Sequence, residues 1–154
     1  MNKLTEEKIE TMLEGDEGFS ARVYKDTLDI DSCGDGYNLE ANPAHLSATE
    51  IAGIYANGIT RERARELLEE EVEKTIKHLS ADLPYFDSLP ENAQIVFVDM
   101  AYNMGVKGVE QFKTMLADAE HGDFVKAAHD GLNSKWARQV HGRATRLMAL
   151  LAQA

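Results

Sequence analysis

The sequence predicts an α+β protein that is mainly α, with a small antiparallel sheet near the N-terminus. Three observations carry this. Residues 19–39 break into short β-prone pieces, such as Arg22-Val23-Tyr24, separated by Asp and Gly. Residues 60–79 place Ala64, Leu67, Leu68, Val72, Ile76 and Leu79 on one apolar stripe opposite a charged face. Residues 93–105, AQIVFVDMAYNMG, are apolar on nearly every side, as a buried central helix would be.

Thr5 is placed to cap a first helix, with Glu6 and Glu7 suiting its positive end and Ile9, Met12 and Leu13 as its stripe. Gly15 and Gly18 interrupt that pattern. Gly34 and Gly36 mark turns or close backbone approach in the sheet region. Residues 40–59 read as loop, broken at Asn42-Pro43 and Asn57-Gly58, with a short helix after Ser47. Thr60 opens the longest helix; about 20 residues make about 30 Å, enough to bridge two lobes. Ser88-Leu89-Pro90-Glu91 has capping-box spacing with proline in the first turn. Gly105 and Gly108 end the helix that follows. Further helices fit 109–120, 123–132 and 134–152, the last broken near Gly142. The expected organisation is a single domain over 1–154. A small lobe covers about 14–59 and a linking helix about 60–79; a helical lobe covers about 80–154 together with the N-terminal helix.

With 154 residues, 44% hydrophobic and 28% charged, the composition is that of one globular domain. No apolar run approaches the ~20 residues of a membrane span. The N-terminal MNKLTEEKIE has glutamates where a signal peptide needs an apolar stretch. Neither a transmembrane segment nor secretory export is therefore expected. The single cysteine, Cys33, excludes an internal disulfide and a cysteine-built zinc site. His45, His78, His121, His129 and His141 show no metal spacing, while Trp136, Phe112, Met100, Met104 and Met115 read as core. A net charge of −11 argues against non-specific nucleic-acid binding. All 27 acids lie at or before Asp130, whereas residues 131–154 carry Lys135, Arg138, Arg143 and Arg146 and no acid. That basic segment reads either as the solvated face of a terminal helix or as a contact for an anionic surface.

Glu17, Asp26, Asp29, Asp31 and Asp35 cluster between the first helix and residue 35. A pair of carboxylates in different environments is the minimum equipment of a glycosidase: one protonated acid, and one ionised partner that activates water or stabilises charge. On its own such a cluster is also an ordinary solvated loop.

Three motifs give the cluster a context. Asp16-Glu17-Gly18, Val23-Tyr24-Lys25-Asp26-Thr27 and Ser32-Cys33-Gly34-Asp35-Gly36 together resemble the active-site region of the phage lysozyme (endolysin) family, glycoside hydrolase family 24. In that family a helix ends in Glu-Gly, a Tyr-x-Asp follows, and a hairpin carries a hydroxyl residue before Gly-x-Gly. Glu17 and Asp26 stand nine apart, as in the T-even phage type. Asp99-Met100-Ala101-Tyr102-Asn103-Met104-Gly105 is similar to the family's central helix. Ser134-Lys135-Trp136, followed by Arg143-Ala144, is similar to its closing motif. The resemblance runs over about residues 9–150.

The resemblance implies a lysozyme-like fold and a muramidase that cleaves the β-1,4 bond between N-acetylmuramic acid and N-acetylglucosamine in peptidoglycan. It implies that Glu17 is the general acid and Asp26 the second carboxylate. Ser32 stands where the family usually has threonine, its hydroxyl orienting the attacking water. Tyr102 and Asp130 take substrate-binding positions. It further implies a monomer without a cofactor, made in the host bacterial cytoplasm and reaching the cell wall once a holin permeabilises the membrane. The departures are Asp29, Asp31 and Asp35, where the family has small or apolar residues. Their field would disfavour ionisation of a neighbouring acid and repel an anionic glycan. A catalytically silent peptidoglycan-binding protein is therefore one alternative. A transglycosylase is another, against which Asp26 speaks. Asp29-x-Asp31-x-Cys33-Gly34, with Glu40 at position twelve, also nearly matches an EF-hand calcium loop. It fails at Cys33 and lacks an entering helix. No metal ligand is assigned, and a calcium-dependent variant of the enzyme stays open.

Overall fold

The structure, a computed structural model, describes all 154 residues. In chain order it contains α1 (Lys3–Glu17), β1 (Ser20–Lys25), β2 (Asp31–Gly34), β3 (Tyr37–Asn38), α2 (Ala48–Asn57) and α3 (Arg61–Asp82). A 3-10 turn (Phe86–Ser88) leads to α4 (Glu91–Met104), α5 (Val106–Glu110), α6 (Lys113–Glu120), α7 (Phe124–Leu132), α8 (Lys135–Val140) and α9 (Gly142–Ala152). This is the mainly α arrangement with a small N-terminal sheet that the sequence predicts. The chain divides into two compact units, residues 10–74 and residues 1–9 with 75–154. The division passes through α1 and α3, so both helices contribute turns to each unit.

In the unit of residues 10–74, β1, β2 and β3 pair antiparallel in that order. Tyr24 lies opposite Ser32, and Ser32 opposite Asn38. Cys33, Tyr37, Leu39, Leu46, Ile54, Ile59, Ala64 and Leu67 form the core, covered by Phe19, Val23, Ala44 and Ile51. Burying a Leu or Ile side chain contributes about 1.5–3 kcal/mol, so this small cluster is what holds the sheet on α2 and α3. β2 approaches α3 closely: a β-carbon at Gly34 would stand 2.9 Å from Ala64 Cβ. The loop after β3 is closed by polar bonds. Tyr37 Oη donates to Asn42 Oδ1 at 2.8 Å, the Leu46 N–H donates to the same oxygen at 2.9 Å, and Lys74 Nζ donates to the Pro43 carbonyl at 2.9 Å. Arg65 binds Glu10, Glu14 and Glu69, tying the end of α1 to the start of α3.

In the helical unit α4 is the buried element; every residue from Ala93 to Ala101 is buried. Asp99, fully buried, receives Arg143 from α9 at 2.8 Å. Trp136 Nε1 donates to Asn103 Oδ1 at 2.9 Å, and its ring meets Phe112 edge-on with centroids 6.1 Å apart. Met100 and Met115 are core as expected, whereas Met104 is only partly buried.

Three element ends differ from the sequence reading. Asn2, not Thr5, caps α1: its Oδ1 accepts from the Thr5 N–H at 2.9 Å, while the Thr5 hydroxyl reaches Glu91 at 2.7 Å. Asparagine precedes the first helical residue, where its short side chain can reach back-facing donors. Ser88 makes no capping box, because its hydroxyl donates to the Tyr85 carbonyl within the 3-10 turn. The break in the last helix is made by His141, at φ 46°, one residue before Gly142.

Candidate active site

Glu17 is the last residue of α1. Gly18 ends the helix with φ 72°, its N–H donating to the Glu14 carbonyl at 3.1 Å, and so leaves the Glu17 side chain at a helix terminus. β1 then delivers Tyr24, and Asp26 opens the turn into β2. The Leu28 and Ile30 N–H groups both donate to Asp26 Oδ1, at 2.8 and 2.9 Å, a turn closed by Asp29 in the left-handed region. Asp26 is thus held by one oxygen, and Oδ2 accepts no protein hydrogen bond.

Tyr24 gathers the site. Its phenol is pushed up from the ordinary value, first by burial and then by the charges of Glu17, Asp26, Cys33 and Asp35. Carboxyl groups from α1, the β1–β2 turn and the β2–β3 turn are therefore all near enough for their charge to act on one phenol. Ser32 pairs with Tyr24 across the sheet, is buried, and donates its hydroxyl to the Ile30 carbonyl at 3.3 Å. Asp35 is buried as well. Burial raises its carboxyl above the usual range, and Arg61 works against that rise. Gly36 lies directly on Glu17: a β-carbon there would stand 3.0 Å from Glu17 Oε2.

Asp31 and Glu40 are engaged elsewhere. Asp31 pairs with Lys25 at 2.7 Å and accepts from Tyr55 Oη at 2.5 Å; the Lys25 bond, then the Tyr55 bond, holds its carboxyl below the ordinary value. Glu40 accepts from the Asp31 N–H at 2.6 Å. The calcium-loop spacing is thus folded into a hairpin in which Asp31 and Glu40 have protein partners. No three His, Cys, Asp or Glu side chains are grouped to hold a metal. Of the three departures only Asp35 joins the Tyr24 cluster.

The helical unit carries the two substrate-binding candidates. Tyr102 is partly buried near the end of α4. Asp130, on α7, lines a cavity of about 260 Å³ with Gln111, Phe112, Lys113, Thr114, Met115 and Asn133, and Tyr102 is not among its walls. Burial, then a hydrogen bond with Asp118, pushes the Asp130 carboxyl above its ordinary value, and Lys126 pairs with Asp118 at 3.4 Å. Sequence reasoning had Tyr24 in the active-site motif but gave it no role, and it missed Asp118 beside Asp130. Period-two pairing with Ser32 could have given Tyr24 its place; nothing in the sequence brings 118 to 130.

Residues 14–152 match the phage lysozyme family. The chain is similar to the pre-baseplate central spike protein Gp5 of Enterobacteria phage T4, at 32% identity over 91% of this chain. It spans only 27% of that protein's length. It is also similar to probable T4-type lysozymes 1 and 2 of Dictyostelium discoideum, at 27% and 24% identity, covering 92% of each.

Proposed function

The chain belongs to the phage lysozyme family, and from that premise we propose that it is a muramidase, hydrolysing the β-1,4 bond between N-acetylmuramic acid and N-acetylglucosamine in peptidoglycan. The observation that carries this reading is the placing of Glu17 at the end of α1, against Gly36 of the hairpin, and of Asp26 in the turn between β1 and β2, with the charges of both acting on Tyr24. Glu17 is the general acid: it passes its proton to the glycosidic oxygen as the bond to the anomeric carbon breaks. Asp26 is the second carboxylate. Two backbone donors fix Oδ1 and leave Oδ2 for the attacking water, which gives its proton to the carboxylate and its oxygen to the anomeric carbon. Ser32, opposite Tyr24 in the sheet, helps order that water, while Tyr102 and Asp130 bind substrate in the helical unit. Lys25 offsets the charge of Asp31, one of the three hairpin aspartates that favoured a silent binding protein.

In this reading the protein is an endolysin, a monomer made in the host cytoplasm that reaches the wall after a holin opens the membrane. Similarity to the T4 spike protein favours a second deployment, the same chemistry carried within a phage baseplate. Lysis on expression only when a holin is co-expressed supports the first deployment; lysis of cells from outside by the protein alone supports the second. The chemistry is tested on purified peptidoglycan. New reducing ends should appear, and a folded Glu17→Gln variant should release them about 10²–10⁴-fold more slowly. Wild-type rates from that variant, or 1,6-anhydro ends in place of reducing ends, would overturn the assignment.

A further inference from the structure

We propose that Gly36 is a positioning residue for the general acid: the missing β-carbon at this position is the space into which the Glu17 carboxyl fits. The inference rests on Glu17 being that acid. A β-carbon at 36 would lie 3.0 Å from Glu17 Oε2 and 3.3 Å from both Cδ and Cγ. All three nearest atoms belong to one side chain, and they include the carboxyl itself. No other glycine in the chain meets a catalytic candidate in this way.

The turn bearing Gly36 is anchored, so the carboxyl is what must yield. Asp35 and Gly36 join β2 to β3, and the flanking Cys33 and Tyr37 are paired and buried. Asp35 is buried too, and on the far side of the turn Gly34 abuts Ala64 of α3. The backbone of Glu17 is fixed by the end of α1, which leaves only its side-chain torsions to adjust. A glutamate with an open flank spreads its carboxyl over several rotamers; one seated against the Gly36 α-carbon has that spread cut off on one side. General acid catalysis requires the proton within hydrogen-bond reach of the leaving oxygen, and a misplacement of about 1 Å reduces the rate about 10²-fold. The φ of +83° at residue 36 calls for glycine independently, so the test must separate backbone strain from the contact with Glu17.

Gly122 supplies the control. Its φ is +82°, and nothing lies within 4 Å of its would-be β-carbon. Gly122→Ala therefore carries the same backbone strain without a contact. The Glu17 carboxyl would have to give by a fraction of an ångström, so Gly36→Ala should lower kcat by about threefold to tenfold with KM nearly unchanged, whereas Gly122→Ala keeps wild-type kcat. Gly36→Ala should also lower the Tm more than Gly122→Ala does. That excess should vanish in a Glu17→Ala background, where the carboxyl is gone. If Gly36→Ala alone fails to fold, recovery of folding in Gly36→Ala/Glu17→Ala supports the proposal and continued failure overturns it. Equal kcat in Gly36→Ala and Gly122→Ala, or an excess Tm loss that persists without the Glu17 side chain, also overturns it. An active Glu17→Gln variant is a different failure: it removes the general acid assignment itself.

Discussion

Of Asp29, Asp31 and Asp35, Asp35 is the one whose charge acts on Tyr24. It stands between two glycines of positive φ, buried, and burial raises its carboxyl above the usual carboxylate range despite Arg61. A carboxyl whose folded pKa lies above its unfolded one favours the fold most when protonated. Its contribution is present at low pH and is lost as pH rises through the folded value. At neutral pH the charged form is held where it is poorly solvated. Asp35→Asn should therefore raise the Tm at neutral pH, with the gain fading as pH falls below the ordinary carboxylate range. A Tm gain of the same size across that whole span would contradict the argument. Asp31 is expected to behave oppositely, because Lys25 and Tyr55 stabilise its charged form. The sequence displays both aspartates alike. Only the pairing of β1 with β2, which sets Lys25 opposite Asp31, tells them apart.

Among the elements, α4 and α9 are joined by the pair of Asp99 and Arg143. Asp99 is fully buried, so removing the guanidinium leaves a charge with no solvent to turn to. Arg143→Met should lower unfolding free energy by about 3–5 kcal/mol, and Asp99→Asn/Arg143→Met should recover part of it, as read from urea unfolding. Equal losses in the single and double variants would show that the pair is not the cause. Much of this level was legible in the sequence. The apolar faces of α3 and α4 and the breakers at Asn57-Gly58 and Gly105 follow from periodicity and backbone preference. What was not legible depended on tertiary competition. Thr5 gave up its capping role because Glu91, far along the chain, offered its hydroxyl a partner at 2.7 Å. Ser88 was drawn into a 3-10 turn by the Tyr85 carbonyl. Asp31, central to the calcium-loop pattern, was redirected by Lys25 and Tyr55, neither of which belongs to the motif.

Across the whole molecule, charge is divided along the chain, with 27 acids ending at Asp130 and a basic segment after it. Arg143 is nearly buried against Asp99, so it adds little to any outward-facing charge; Lys135 and Arg138 are exposed. Lys135→Gln with Arg138→Gln should weaken retention on anionic bacterial envelopes, and retention of the unaltered protein should fall as salt shortens the Debye length towards about 8 Å. Retention unaffected by both would leave these residues as plain solvated charge. The division into two compact units has a separate kinetic consequence, because the chain's single thiol belongs to one of them. Cys33 is wholly enclosed in the core of residues 10–74, and burial pushes its thiol up to about 11. At neutral pH it can meet an alkylating reagent only when that core opens. Alkylation in native buffer should therefore run far below the free-thiol rate and reach it in urea; a native rate equal to the denatured one would refute the enclosure. Timed against loss of helical dichroism, which is weighted towards the other unit, the thiol becomes a clock for whether the sheet opens alone or only with the rest of the chain.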